Sequence, residues 1–444
     1  MKRTWMGLLG AAALLMSACG PGGGSVTGCD PNGTGGLVVN VSGLPGGVNA
    51  KVSVTGPSGF NQNLTGSQTF TAIAAGTYTV TADKVANTDP LIRTAYSASV
   101  SSSPACVRNG QSTPVNVSYA QIPSSNKLWM VNGNPPSGSS PLLGFTASLL
   151  SSTATQSPSV SAGTVNLRDL TFDKDGNLWG IGGTTADPNL VRYPASSLGS
   201  SGSKTRDRSI NIGGFSCSPG PTRLAFDASG NLWVSIPCAN KVVRVAAGQL
   251  DASGMVTPGV EITGLNAPEG LAFDASSNLW IANAGAQRVV RFNASRLSAS
   301  TSGPDLTIES KTPSPVINTL DANLLAFDAS GNLWVMAFGA NVLYRLTPTD
   351  QSGSGSKTLT PAIQVSVPVS AVLEGMAFDE GGGLWISYSA GTFARLSPAQ
   401  LGTSSTSGSP TNPERIITSS SIGSAGGLAL YPAPANLPLY HRLP

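Results

Sequence analysis

Three side chains that could bind a divalent cation open three near-identical stretches of the sequence. Glu269 precedes GLAF, Glu374 precedes GMAF, and Asn323 precedes LLAF. Carboxylate and amide oxygens are the ligands that Ca²⁺ and Mg²⁺ prefer. If the fold brings these residues together, they predict a metal site of two acids and one amide.

The remaining inventory for catalysis is poor. The chain has one histidine, His441, in a Pro-rich tail, which excludes His-based triads and multi-His zinc sites. No phosphate-binding loop or dinucleotide fingerprint occurs. The net charge is +3 without a basic stripe, so nucleic-acid binding is not expected. We therefore predict no catalytic residues and no cofactor other than this possible divalent cation.

The candidate ligands belong to a repeat. LAFDASGNLWV at 224–234 recurs as LTFDKDGNLWG, LAFDASSNLWI, LAFDASGNLWV and MAFDEGGGLWI, starting at residues 170, 271, 325 and 376. Each copy predicts two strands joined by a tight turn, then a third strand, a Ser/Gly/Pro-rich loop and a short fourth strand, which together make one propeller blade. Tryptophans recur in phase at intervals of 47 to 54 residues, at Trp129, Trp179, Trp233, Trp280, Trp334 and Trp385.

One copy of the repeat is split between the beginning and the end of the repeat region. NKLWMVN, from Asn126, has the second half of the hairpin, and GGLALYP, from Gly426, has the first half. The two halves would complete one blade and leave no open sheet edge. We therefore predict an all-β fold with a six-bladed propeller over 126–434, closed by pairing of residues 428–431 with 128–131.

Side chains alternate along the innermost strand of each predicted blade. Leu224 and Phe226 should point to one neighbouring blade and Ala225 to the other, so that large residues face small ones. Trp233 and its equivalents should fill the space between blades as core residues.

The residues just before each innermost strand differ between copies, although the strand repeats. They should ring the mouth of the central channel, where we place a ligand site. Two interpretations stay open, because Arg168 and Arg223 could pair with the acids instead of leaving them to a metal. DKDGN at 173–177 is likewise either the start of a calcium loop or the turn of the repeat. The ring comprises Arg168, Asp169, Thr222, Arg223, Glu269, Gly270, Asn323, Leu324, Glu374, Gly375, Gly426 and Gly427.

These motifs resemble the superfamily of six-bladed propellers that includes NHL-repeat, gluconolactonase-like and streptogramin-lyase-like proteins. EGLAF and EGMAF are similar to the start of the metal-binding strand in gluconolactonase-like enzymes. The resemblance implies that Glu269 or Glu374 is the metal glutamate, with Asn323 as a second ligand and Asn283 as a neighbour at the channel mouth. The aspartate of that metal site has no clear counterpart, and the single histidine argues against streptogramin-lyase chemistry.

The N-terminus reads as a secretion signal. Lys2 and Arg3 precede an apolar stretch and a small-residue exit at 17–18, directly before Cys19. LLMSAC resembles the bacterial lipoprotein signal, which predicts a signal peptide at 1–18, a lipidated Cys19 and a flexible tether at 19–35. An ordinary cleaved signal is the alternative. The predicted location is the cell envelope, on the outer side of the cytoplasmic membrane or at the outer membrane.

Removing Cys19 leaves four cysteines, which allow three pairings. We favour Cys29–Cys106 and Cys217–Cys238, because each bond then lies inside one predicted domain. Four free thiols are the alternative.

Residues 36–120 predict a small antiparallel sandwich of short strands. AAGTYTVTA resembles the signature of prealbumin-like, carboxypeptidase-regulatory-type modules, which implies a spacer or adhesion unit. A linker at 121–125 and a Pro-rich tail at 435–444 complete the predicted organisation.

Two functions remain. The first is a monomeric envelope lipoprotein, held at the membrane by its lipid, whose propeller is a non-enzymatic binding or scaffold module for protein or glycan. The alternative is a metal-dependent hydrolase of lactones or esters that uses the acids at the channel mouth.

Overall fold

A computed structural model describes residues 29, 31–87, 95–121, 127–133, 135–136, 141–164, 166–183, 188–213, 217, 220–310, 322–337, 341–368 and 372–431. Cys19, the signal, His441 and the tail lie outside these residues. The chain forms two compact units: one contains the described residues of 29–41, 52–81 and 100–117, and the other contains the rest. Both disulfides of the favoured pairing are present, Cys29–Cys106 and Cys217–Cys238.

The N-terminal strands form two sheets with alternating buried and exposed residues, as a small sandwich requires. Leu37, Val54 and Tyr78 are among the fully buried side chains of the first unit. In spatial order, one sheet has Gln68–Ala74, Thr34–Ser42, Ser112–Gln121, Ala95–Val100 and Val85–Ala86, and the other has Asn61–Leu64, Val52–Thr55, Gly76–Ala82 and Ala105–Val107.

The strands from Lys127 onward form six sheets in the described part of the chain, numbered here as blades in the order of their second strands. Their strands are given from the channel outward. Blade 1 has Ala425–Tyr431, Lys127–Asn132, Leu142–Thr146, Val160–Gly163 and Gly202–Ser203; blade 2 has Leu167–Phe172, Leu178–Gly183, Pro188–Tyr193, Arg208–Ile212 and Gly254–Val256; blade 3 has Leu224–Phe226, Leu232–Ile236, Lys241–Val245, Val260–Thr263 and Thr301–Ser302.

The remaining blades follow the same order. Blade 4 has Pro268–Phe273, Leu279–Asn283, Arg288–Phe292, Leu306–Ser310 and Gly355–Leu359; blade 5 has Ala322–Phe327, Leu333–Ala337, Val342–Leu346 and Ile363–Ser366; blade 6 has Leu373–Phe378, Leu384–Tyr388, Thr392–Leu396, Arg415–Thr418 and Ala154–Thr155. Among the described residues, helical structure is limited to single turns, at Pro57–Gly59, Ala147–Leu150, Ala195–Ser197, Pro237–Ala239, Ala247–Gln249, Ala284–Ala286, Ala294–Arg296 and the α-helical turn Pro398–Leu401.

The two ends of the repeat meet in blade 1. Leu428 pairs with Met130 and Leu430 pairs with Leu128 in an antiparallel ladder. Each innermost strand also contacts the innermost strand of the next blade around the ring. The predicted closure of the propeller is therefore confirmed.

Packing between blades follows the predicted alternation. Phe226 of blade 3 lies against Trp179 of blade 2, with ring centroids 6.3 Å apart, and Trp233 lies against Phe273 of blade 4 at 6.1 Å. Ala225 packs into the second of these clusters, where a large side chain would not fit. The tryptophans of the repeat are at most 1% exposed, so they form the core of the propeller as expected.

The Ser/Gly-rich loops have a structural role that the sequence did not reveal. In most blades, the loop of the next blade adds a short parallel strand to the outer edge, as Thr301–Ser302 does beside Val260–Thr263. The hydroxyl of Ser300 accepts the N–H of Glu261 at 3.0 Å, and Ser253 does the same for Ser209. These loops cover edges that would otherwise present unpaired backbone groups.

Candidate binding site at the channel mouth

A β-bulge at the start of the innermost strands positions the residues of the mouth. In blade 3, the N–H of Thr222 donates to the carbonyl of Ser235, and the N–H of Ser235 donates to the carbonyl of Arg223, so two residues face one. The pairing is likewise irregular in blade 2 after Leu167 and in blade 4 after Pro268. A bulge bends the strand and redirects its side chains, which brings consecutive residues to the mouth.

Arg223 lies between two acids at the mouth. Its Nη1 is 4.0 Å from Oδ1 of Asp169, and its Nε is 3.9 Å from Oε2 of Glu269. The three side chains are 12–19% exposed. Asp169 also accepts the backbone N–H of Leu224 at 3.0 Å, and Glu269 accepts a hydrogen bond from Thr222. The pairing of arginine with the acids, one of the two interpretations of the sequence, is thus present in the structure.

Burial raises the pKa of each acid in this group. For Asp169 and Glu269, desolvation is the largest cause, and the charge of Arg223 only partly opposes it. The pKa of Glu374 is also raised, by desolvation first and by the negative charge of Glu269. The three carboxylates therefore share one electrostatic environment in which negative charge is incompletely neutralised.

Below the mouth, the central channel is apolar. Asp169, Arg223 and Glu374 line its polar end, and the cavity has a volume of about 160 Å³. The wall consists of the innermost strands of five blades and the closing strand, and its apolar side chains include Leu224, Phe226, Leu271, Phe273, Leu325, Phe327, Met376, Phe378, Leu428 and Leu430.

Glycine keeps part of the mouth open. A Cβ atom on Gly427 would lie 2.5 Å from Oδ1 of Asp169, so the absence of a side chain there lets the carboxylate sit against the closing strand. A Cβ atom on Gly375 would lie 2.6 Å from the carbonyl oxygen of Gly426. The small residues of the ring are therefore required by close approach of neighbouring blades.

The other predicted residues are placed as follows. Arg168 is exposed, and its charge slightly opposes the rise in the pKa of Glu269 that desolvation causes. Asn323 is partly buried, and its carbonyl lies against Gly270 of the neighbouring blade. Asn283 is 2% exposed, and its Oδ1 accepts the N–H of Asn266 at 2.6 Å, which gives it a role in holding a loop.

The metal site remains a prediction. Within the described residues, no group of three or more His, Cys, Asp and Glu side chains is placed to hold a metal ion. Glu269 and Glu374 are close enough to interact electrostatically, but Arg223 brings a positive charge to within 3.9 Å of Glu269. The positive charge of Arg223 weakens the attraction of these carboxylates for a divalent metal cation.

The repeated aspartate is a structural residue. Oδ1 of Asp173 accepts the backbone N–H groups of Asp175 and Asn177, and its Oδ2 accepts the indole N–H of Trp179 at 3.1 Å. These bonds use the carboxylate of DKDGN for the turn and the core, as the turn interpretation expected. The sequence analysis missed the bond to tryptophan, although the constant spacing of six residues between aspartate and tryptophan was visible.

The comparisons with known proteins are limited. Neither a protein-family model nor a curated protein sequence matches the chain. Similar solved structures include streptogramin B lyase, at 15% identity and a TM-score of 0.36, covering 52% of this chain and 66% of that one. A gluconolactonase-like protein has 19% identity and a TM-score of 0.40, and the match covers 60% of this chain and 83% of that one. A Bacteroides caccae protein of unknown function has 9% identity and a TM-score of 0.42, and the match covers 68% of this chain and 98% of that one.

The match with streptogramin B lyase spans slightly less than two thirds of that protein. The assignment of this chain as a β-propeller depends on its own sheet topology. No helix among the described residues is long and apolar enough to cross a membrane.

Proposed function

We propose that the protein is a monomeric cell-envelope lipoprotein, anchored through Cys19, whose propeller is a non-enzymatic binding module that recognises its ligand at the channel mouth. The observation that carries this proposal is the position of Arg223 between Asp169 and Glu269. These charged groups are partly buried and loosely paired, which suits recognition of a charged group on a partner.

The distribution of repeated and variable residues supports the same surface. The Asp–Trp pairs and the turns recur from blade to blade, whereas the mouth residues Asp169 and Arg223 are replaced by Gly or Leu at the equivalent positions of the later blades. Residues that maintain the blade must recur, but a site formed once at the centre of the ring has no such requirement.

Protein is the more favourable partner class of the two. The tryptophans of the blades are buried, and the exposed large apolar residues in the described part of the chain are Met255 and Ile416. Sugar rings bind by stacking on exposed aromatic side chains, and the described surface offers no such platform. Charge recognition at the mouth therefore favours a protein ligand over a glycan.

The compartment follows from the cysteines. Disulfides persist in oxidising compartments outside the cytoplasm, and the structure contains two. Lipidation of Cys19 is tested by replacing Cys19 with serine. We expect the variant to leave the membrane fraction and to lose incorporation of a fatty-acid label. Retention of the label in Cys19→Ser would contradict the anchor.

Binding is tested by comparing the immobilised full chain with the double variant Glu269→Gln/Glu374→Gln on envelope extracts. A partner that the mouth recognises should bind the wild type, lose affinity for the double variant, and reproduce this difference after purification. The matched control is Glu309→Gln, which changes an exposed acid of blade 4. Equal binding to all three proteins would place recognition elsewhere and overturn the proposal.

The alternative function, a metal-dependent lactone or ester hydrolase, is favoured by one observation. Glu269 is close enough to Glu374 that its negative charge contributes to the raised pKa of Glu374. Metal analysis of the native protein tests it. Stoichiometric Ca²⁺, Mg²⁺ or Zn²⁺ that is lost in Glu269→Gln and in Glu374→Gln would favour the hydrolase over the binding module.

A further inference from the structure

We infer that the channel mouth binds a primary ammonium group carried on an apolar stem, with the ammonium among Asp169, Glu269 and Glu374 and the stem in the channel. This inference rests on the proposed function and specifies the ligand of the same site. It has two independent supports, the balance of charge at the mouth and the chemistry of the wall below it.

The charge balance favours a cation. Asp169, Glu269 and Glu374 bring three negative charges, while Arg223 and the exposed Arg168 bring two positive ones. An anionic head group would meet three carboxylates, whereas an ammonium adds the missing positive charge. Electrostatic complementarity of this kind selects the sign of the ligand.

Glu374 is the carboxylate that an ammonium would stabilise most, because it lacks hydrogen-bond donors among the described residues. It lines the cavity, and among the described residues no group donates a hydrogen bond to it. A partly buried carboxylate without donors is costly to keep charged, and an ammonium can donate up to three hydrogen bonds. Arg223 cannot supply them in the observed geometry, because its nearest carboxylate contacts are with Asp169 and Glu269.

The wall of the channel favours an apolar stem. Directly below the acids, the cavity is lined by Leu and Phe side chains of successive blades, such as Leu271 and Phe327. The cavity volume of about 160 Å³ is far above the roughly 10–15 Å³ that a single water molecule requires, so the channel has room for several waters. An aliphatic chain that replaces this water removes apolar surface from solvent at both the wall and the ligand.

The order of the two regions sets the orientation. The acids lie at the mouth and the apolar wall lies deeper, so the ammonium must be at the entrance and the stem inside. A lysine side chain inserted from the mouth would place its ammonium at the apolar end, which is unfavourable. Two sources carry the required chemistry: a free aliphatic amine, and the N-terminal residue of a peptide with an apolar side chain.

The test uses the full chain and n-alkylammonium ions from propyl to hexyl, titrated by calorimetry at neutral pH. We expect affinity to increase about fourfold per added methylene, since each buried CH₂ contributes a near-constant increment. The alcohol and the carboxylate of the same chain length are the matched probes, and both should bind at least about tenfold more weakly than the amine.

Variants locate the site. Glu374→Gln should weaken hexylammonium about tenfold or more, while Glu309→Gln should leave it unchanged. Urea unfolding of each variant shows whether it is folded, and the alcohol and carboxylate probes keep the test decisive on the wild type if Glu374→Gln unfolds. Alcohol binding equal to amine binding, stronger binding of the carboxylate, or no gain with chain length would overturn the inference.

The source is resolved by a second pair of probes, leucinamide and its N-acetyl derivative. Binding of leucinamide alone identifies a peptide N-terminus, and binding of alkylamines without leucinamide identifies a small amine. If neither amine probe binds but a partner is still captured in a mouth-dependent way, this inference fails while the proposed function stands. If mouth-dependent capture also fails, both fall.

Discussion

The guanidinium of Arg395 bonds to the carboxylate of Asp379 at 2.6 Å, in the place where other blades use an asparagine. Asn231 of blade 3, for example, donates to Asp227 at 2.8 Å. Blade 6 has Gly383 at the asparagine position, and a Cβ atom there would lie 2.3 Å from the guanidinium. Glycine and arginine in blade 6 therefore jointly replace the asparagine, and the carboxylate keeps a hydrogen-bond donor, now a charged one.

Removing this arginine should be strongly destabilising. The side chains of Asp379 and Arg395 are 0% and 6% exposed, so Arg395→Met leaves a buried carboxylate without its cation. We expect a loss of roughly 3–5 kcal/mol in the free energy of unfolding, measured with urea. The matched control is Arg244→Met, because Arg244 packs over Trp233 rather than pairing with the turn aspartate. Equal losses in the two variants would contradict a special role for the buried pair.

The bond between Asp227 and Trp233 predicts a second effect. Asp227→Asn removes a charged acceptor that holds the indole N–H at 2.9 Å and the side chain of Asn231. We expect about 1–3 kcal/mol of destabilisation, since the hydrogen bonds to a charged group are lost in a buried setting. Ser229→Ala is the control, because the contact of residue 229 with the aspartate is through its backbone N–H. If the two variants differ in stability by less than the error of the unfolding measurement, the repeated aspartate does not have this structural role.

The loops that cover the blade edges give a third prediction. Ser300→Ala and Ser253→Ala each remove one acceptor for a backbone N–H of the outer strand. Each should cost about 0.5–1.5 kcal/mol, and the double variant should show the sum because the serines belong to different blade edges. Thermal unfolding of the single and double variants measures both effects. No change in either single variant would show that solvent replaces the hydroxyl without cost.

The mouth acids predict a dependence of stability on pH. Because their pKa values are raised in the folded state, the folded protein binds more protons than the unfolded chain just above the ordinary carboxyl pKa. Their contribution is therefore favourable at low pH and is lost as the pH rises through the folded pKa. The wild type should gain stability relative to Glu269→Gln/Glu374→Gln as the pH falls from about 7 to 4.

Asp207 provides a control of opposite sign. Its hydrogen bonds with Arg192 lower its pKa, so its contribution is present above the ordinary carboxyl pKa and is lost as the pH falls. Relative to Asp207→Asn, the wild type should lose stability on acidification, as measured by urea unfolding at each pH. The same sign of change in both comparisons would mean that the mouth acids are not desolvated in the folded protein.

The architecture of the propeller was predictable because the spacing of the repeat copies shows where each blade begins and ends. Copies of LAFDASGNLWV in phase with six tryptophans predicted the blade, and the half-repeats at Asn126 and Gly426 predicted the closure that the pairing of Leu428 with Met130 confirms. The packing of Ala225 against the next blade was predictable for the same reason. Alternation along a strand determines which side chains face each neighbour.

The loops and the bulges were not predictable to the same degree. The short strand Thr301–Ser302 lies in a Ser/Gly-rich segment that has no strand pattern of its own, and it exists because the edge of blade 3 offers it a partner. The bulge at Thr222 and Arg223 likewise depends on the opposing Ser235. Local sequence does not encode either feature, since both arise from pairing across blades or strands.

By itself, the sequence determined the all-β class, the blade as the repeated unit and the ring closure, and it predicted a set of residues near the mouth. These properties follow from the period of the repeat and from the alternation of side chains along each strand, and both patterns occur in every copy. Only the tertiary structure decided that Arg223 lies between Asp169 and Glu269, while Glu374 lines the apolar channel without a donor among the described residues. Those side chains come from different blades, and their charges and burial depend on how the ring places neighbouring strand ends in space.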